Sequence, residues 1–214
     1  MKQNVTEVIF ILDRSGSMSG LEDDTIGGFN STLEKQKELE GDVVVSTVLF
    51  DNEFEVLHNR LDINSIHPLT RKEYYVRGAT ALLDAVGRSI RYIKHRYADT
   101  LKENRPSKVL FVITTDGMEN ASKEFNYKTL KKMILDVQEK YNWEFLFLGA
   151  NIDAVGEAAK FGINQDRAVR FHSDKEGTAK NYEAINEAMT SLRTTNMIKE
   201  NWKSRVEEDF EERK

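Results

Sequence analysis

Three continuous apolar runs punctuate the chain. Val8-Ile9-Phe10-Ile11-Leu12 stops at Asp13-Arg14-Ser15-Gly16-Ser17, Val109-Leu110-Phe111-Val112-Ile113 stops at Thr114-Thr115-Asp116-Gly117, and Phe145-Leu146-Phe147-Leu148 stops at Gly149-Ala150-Asn151. Runs of this length without polar alternation predict strands buried on both faces. Between the first two runs Leu83, Val86, Ile90, Ile93 and Tyr97 recur at helical spacing, and after the second so do Leu130, Met133, Ile134, Val137 and Tyr141. Alternation of buried strands with amphipathic helices predicts an α/β fold, a central and mostly parallel sheet with helices on both faces. Residues 43–50 and 54–57 are strand-like and separated only by Asp51-Asn52-Glu53, which predicts a hairpin and so one antiparallel strand at an edge. A short strand at 169–171 and a helix carrying Tyr182, Ile185, Met189 and Leu192 complete the pattern.

The last residues are patterned differently. Ile198, Trp202, Val206 and Phe210 recur every four positions in an otherwise charged segment, which predicts a final helix that docks on the domain or offers a partner an amphipathic surface. Residues 1–195 therefore read as one domain and 196–214 as a charged, helical C-terminal segment. Neither repeats nor a low-complexity linker interrupts the chain, and the two prolines, Pro68 and Pro106, fall in connections.

Composition narrows the chemistry. The 214 residues contain no cysteine, which removes disulfides, thiolate metal sites and a cysteine nucleophile and suits a cytoplasmic setting. A formal charge of -5 argues against a nucleic-acid binder, which needs clustered cations to neutralise phosphates. The local group Arg88, Arg91, Lys94, His95 and Arg96 reads as a solvated helix face. No apolar run approaches the roughly 20 residues of a membrane-spanning helix, and Met1 to Glu7 contain no apolar leader segment.

Ligands of open parallel sheets bind beyond the carboxyl ends of the strands, so residues that immediately follow strands take priority. There the chain places Asp13, Ser15 and Ser17 and, after a later strand, Asp116; Thr80, in Gly78-Ala79-Thr80, stands just before an amphipathic helix. Two carboxylates with three hydroxyls suit a hard cation, Mg²⁺ before Mn²⁺ or Ca²⁺, rather than Zn²⁺. In Asp13-x-Ser15-x-Ser17 alternate side chains of an extended turn point the same way, with Gly16 easing the backbone. Taken alone the pentapeptide equally suits a helix N-terminus or an Asx turn. Asp23 and Asp24 read as favourable charges at the start of a helix, Asp84 as either a support for the site or a solvent-facing residue, and the four histidines as surface or loop residues without metal-ligand spacing.

Together these positions resemble the metal-ion-dependent adhesion site of the von Willebrand factor A family, which reads Asp-x-Ser-x-Ser, then a distant Thr, then a distant Asp. Asp13, Ser15, Ser17, Thr80 and Asp116 match in type and order, and the resemblance runs from about Val5 to about Leu192. It implies a Rossmann-like fold in which Ser15, Ser17 and Thr80 bind the ion directly or through water, with Asp13 and Asp116 acting mainly through hydrogen bonds or water. It further implies that an Asp or Glu side chain of a partner protein completes the coordination, as is common in the family, whose stand-alone intracellular members are mostly bacterial. Two other functions compete with metal-dependent binding: a Mg²⁺-dependent phosphoryl-transfer enzyme with Asp13 as nucleophile, and a scaffold with no metal-dependent role. The first lacks the usual acid/base carboxylate two residues on, where Ser15 stands. Loops for nucleotide phosphates are absent after the first strand.

Overall fold

A computed structural model describes residues 5–213. Met1 to Asn4, within the start considered above as a leader, and Lys214, the end of the tail, lie outside the described residues. The three apolar runs are strands β1 (Thr6–Asp13), β4 (Lys108–Thr115) and β5 (Glu144–Ala150); β2 (Val43–Phe50), β3 (Phe54–Asp62) and β6 (Ala168–Phe171) complete one sheet in the order β3-β2-β1-β4-β5-β6. Every pairing is parallel except β2 with β3. The edge strand β3 runs to Asp62, five residues beyond the expected 54–57. Its outer half alternates charge and exposure rather than apolarity, and its pairing with β2 is irregular near Arg60, whose φ of 52° is left-handed.

Alternation along each strand divides the core into two layers. Val8, Phe10 and Leu12 of β1, with Leu110, Val112, Leu146 and Leu148, face helices α1 (Glu22–Lys37) and α5 (Lys175–Thr195). Ile9 and Ile11, with Phe111, Phe145 and Phe147, face α2 (Leu82–Asp99), α3 (Tyr127–Tyr141) and α4 (Ala154–Phe161). The latter layer is aromatic: Phe111 stacks on Phe145 with centroids 4.7 Å apart and packs against Trp143 at 5.6 Å. The helix face carrying Arg88, Arg91 and Lys94 is ion-paired, to Glu124 and Asp136.

The tail joins the first layer. After α5 the chain forms a short 3-10 turn and then α6 (Ser204–Glu212), and Ile198, Trp202 and Val206 are buried in the core shared with α5. The indole N–H of Trp202 donates to the Asp166 carbonyl at 2.8 Å and Lys203 donates to the Ala168 carbonyl at 2.9 Å, so the segment also covers the β6 edge. Arg193 of α5 is buried and donates to the carbonyls of Gln36, Leu39, Glu40 and Gly41, satisfying the orphan acceptors where α1 ends. No helix among the described residues is long and apolar enough to cross a membrane.

Candidate metal site

The chain leaves β1 outward to β2 and β3 and returns on the opposite side as β4, so the strand order reverses between β1 and β4. Loops that diverge from the carboxyl ends of two such strands border a crevice, and all five expected residues gather there. Asp13 ends β1 and Asp116 follows β4; Ser15 and Ser17 lie in and beside the first turn after β1, and Thr80 stands two residues before α2. The Thr80 hydroxyl donates to Ser15 Oγ at 2.9 Å, and Ser15 Oγ lies 3.1 Å from Ser17 Oγ. Ser15 and Thr80 are buried whereas Ser17 is exposed, so the hydroxyl row leads from the interior to the surface.

Gly117 sets how closely the loops approach. A Cβ there would stand 2.8 Å from Thr80 Oγ1, 3.0 Å from Ser17 Oγ and 3.6 Å from Ser15 Oγ, so a side chain would fill the space between the three hydroxyls. The other backbone requirement falls on Gly78, at φ +69°, whose carbonyl accepts the Gly16 N–H at 3.1 Å. Gly16, expected to supply the unusual conformation, has no positive φ; the constraint lies across the crevice, where the 70–80 segment must turn toward the serine loop.

The two carboxylates differ. Asp13 is fully buried, and both its oxygens are engaged: Oδ1 accepts the Ser15 N–H at 2.7 Å and Oδ2 accepts the Thr115 hydroxyl at 2.5 Å. Burial lifts its carboxyl to about 6; hydrogen bonds from Thr115 and Ser15 oppose the rise and the neighbouring Asp116 charge adds to it. Asp116 is 4 % exposed, and its Oδ1 is buried with no hydrogen-bond partner. Burial pushes its carboxyl up too, against the hydroxyls of Ser17 and Ser173.

Several further side chains support these five residues. Tyr74 is buried and its hydroxyl donates to the Asp13 carbonyl. Asn120 brackets Thr80, accepting its N–H at 2.9 Å through Oδ1 and donating its own N–H to the Thr80 carbonyl at 3.0 Å. Asp84 faces the protein, not solvent: it accepts the N–H groups of Lys123, Glu124 and Phe125, each at 2.9 Å, and so anchors the loop that follows Asp116. Only Asn120 and Thr115, close to Asp116 in sequence, stand where a pattern search could have found them. Asp23 lies in the first turn of α1 and pairs with Arg71. His58 departs from the expected surface or loop position, whereas His172 lies in the loop after β6 as expected. His58 stands on β3 beside Phe29 and Thr47, and His172 stacks on Phe210 with its Nε2 buried. No group of three or more His, Cys, Asp or Glu converges among the described residues, because three of the five crevice side chains are hydroxyls.

No protein-family model matches the sequence, and no curated protein matches it. Solved structures do match. A von Willebrand factor type A protein from Catenulispora acidiphila is 16% identical with a TM-score of 0.57, over 86% of this chain and 42% of that one. Proximal thread matrix protein 1 from the mussel byssus, with a zinc-occupied metal-ion-dependent adhesion motif, is 13% identical with a TM-score of 0.58, over 85% and 44%. A D319A mutant of the PilB minor pilin from Streptococcus sanguinis is 11% identical with a TM-score of 0.62, over 89% and 62%. The chain spans less than two thirds of the length of each of these proteins. At such identities the likeness is one of architecture: the chain has the von Willebrand factor A fold.

Proposed function

We propose that this is a metal-dependent protein-binding domain, in which Ser15, Ser17, Thr80 and Asp116, positioned by Asp13, hold one divalent cation that engages an Asp or Glu side chain of a partner. The observation that carries this reading is the buried Asp116 oxygen that no donor of the protein satisfies, beside three converging hydroxyls. A buried carboxylate oxygen without a partner is costly, and a cation offsets that cost. The donors are all oxygen, which favours a hard ion, and Mg²⁺ suits the few carboxylates better than Ca²⁺. When bound, the ion supplies positive charge that few anionic ligands cancel, an attractive target for an incoming carboxylate. The exposure of Ser17 and of the flanking Met118, 72 % exposed, supports an approach from the surface. The cysteine-free chain suits a reducing, cytoplasmic setting.

Binding is favoured over phosphoryl transfer by the state of Asp13. Both its oxygens are occupied by Ser15 and Thr115 and the residue has no exposed surface, so it is poorly placed to attack a phosphorus atom. The test is calorimetric titration of Mg²⁺ and Mn²⁺ into metal-stripped protein, beside the double variant Ser15→Ala, Ser17→Ala. Saturable one-site binding by the native chain alone, strengthened by acetate or an acidic peptide, is the expected result. A folded native protein that binds neither ion, even with acetate present, would sink the reading.

A further inference from the structure

The serine loop and the threonine loop come from distant parts of the chain, and one carboxylate outside the hydroxyl cluster touches both. Asp51 ends the β2 side of the β2–β3 turn and has no exposed surface. Its Oδ2 accepts Arg14 Nε at 2.9 Å and Arg77 Nε at 2.8 Å; Arg14 lies between Asp13 and Ser15, and Arg77 three residues before Thr80. Its backbone carbonyl accepts the N–H of Ala81, next to Thr80, at 3.0 Å. The loops are further laced by Arg77 N–H to the Arg14 carbonyl at 2.9 Å and Gly16 N–H to the Gly78 carbonyl at 3.1 Å.

We infer that Asp51 is a positioning residue for the cation site, a buckle that fixes the separation of Ser15 from Thr80 through Arg14 and Arg77; the inference rests on the cation reading above. Charge makes the buckle specific. The Arg14 side chain is fully buried, so it needs a buried counter-ion, and Asp51 is the one that also reaches the opposite loop. Its other acidic partner, Glu55, is half exposed and touches Arg14 alone among the two arginines. Tyr75 packs its ring against both guanidinium groups, at 5.3 and 5.4 Å, closing the pair from outside.

The experiment compares native protein with Asp51→Asn and, as a control, Glu55→Gln, with two readouts. In metal-free protein, hydrogen exchange at the Gly16 and Ala81 amides quickens in Asp51→Asn and stays within about twofold of native in Glu55→Gln. With Mn²⁺, affinity falls about tenfold in Asp51→Asn, the lower end of the loss usual when the support of a metal ligand is removed. At saturating Mn²⁺ the electron paramagnetic spectrum of Asp51→Asn also differs from native, a change that lowered stability alone does not produce. A folded Asp51→Asn with native amide exchange and native Mn²⁺ affinity overturns the inference. If Asp51→Asn does not fold, Arg77→Gln, which alters a partly exposed side chain, is measured in its place: faster exchange with weaker Mn²⁺ binding supports the buckle, and native behaviour in both overturns it. Native protein silent to Mn²⁺ defeats the cation reading, while the exchange arm still decides whether Asp51 joins the loops.

Discussion

The loops after β1 and β4 both begin with an aspartate at the same crevice, yet they use it in opposite ways. Asp13 is saturated by its own protein and holds the serine turn in shape; Asp116 keeps one buried oxygen without a partner. One carboxylate has both oxygens engaged within the protein and the other does not, although a motif writes both with the same letter. The contrast follows from what stands beside each: Thr115 and the Ser15 amide point at Asp13, whereas Gly117 leaves no side chain over the hydroxyl cluster beside Asp116.

The largest effect belongs to Asp13→Ala. It strands the Ser15 N–H and the Thr115 hydroxyl in the interior, so unfolding free energy falls by about 3 kcal/mol in a urea titration and cation binding is lost with it. Asp116→Ala separates the two properties. Cation affinity drops on the order of 100-fold by calorimetry, while stability stays within about 0.5 kcal/mol of native, because the lost carboxylate had an unsatisfied oxygen. Should Asp116→Ala unfold and Asp13→Ala stay stable, the assignment of roles is reversed.

A smaller effect is expected at Asp84→Asn, which tests how the Asp116 loop is anchored. Burial pushes the Asp84 carboxyl up, but the N–H groups of Lys123, Glu124 and Phe125 outweigh it and hold the group below its ordinary value of 3.8. A depressed folded value means that the stabilisation is present above about pH 4 and is lost as pH falls through the folded value. Asp84→Asn therefore lowers stability by about 1 kcal/mol at pH 7, and the difference from native shrinks when the denaturation is repeated near pH 3. A gap that widens on acidification would mean that the carboxylate is not the stabilising species.

How much of the fold is legible in the sequence depends on burial. Strands β1, β4 and β5 are legible because both faces are covered, which forces continuous apolar runs. The far half of β3 is not, since an exposed edge strand alternates polar residues and its irregular pairing at Arg60 has no sequence mark. Helix α4 escapes because eight residues of Ala154–Phe161 carry too short a period. Among the crevice side chains, Asp13, Ser15, Ser17, Thr80 and Asp116 are legible as a pattern and are found together. Tyr74 and Asp51 are invisible because the crevice residues each acts on stand at least 26 positions away.

The sequence by itself determined the alternating α/β plan, the absence of thiol chemistry and the set of oxygen-bearing residues that follow buried strands. Periodicity and composition are local properties that a single chain displays directly. The tertiary structure alone decided which aspartate is satisfied and which is not, which glycine turns left-handed, and that one buried carboxylate ties Arg14 to Arg77. Those outcomes depend on hydrogen-bond partners brought together by sheet order, and the sheet order exists only once the strands have paired.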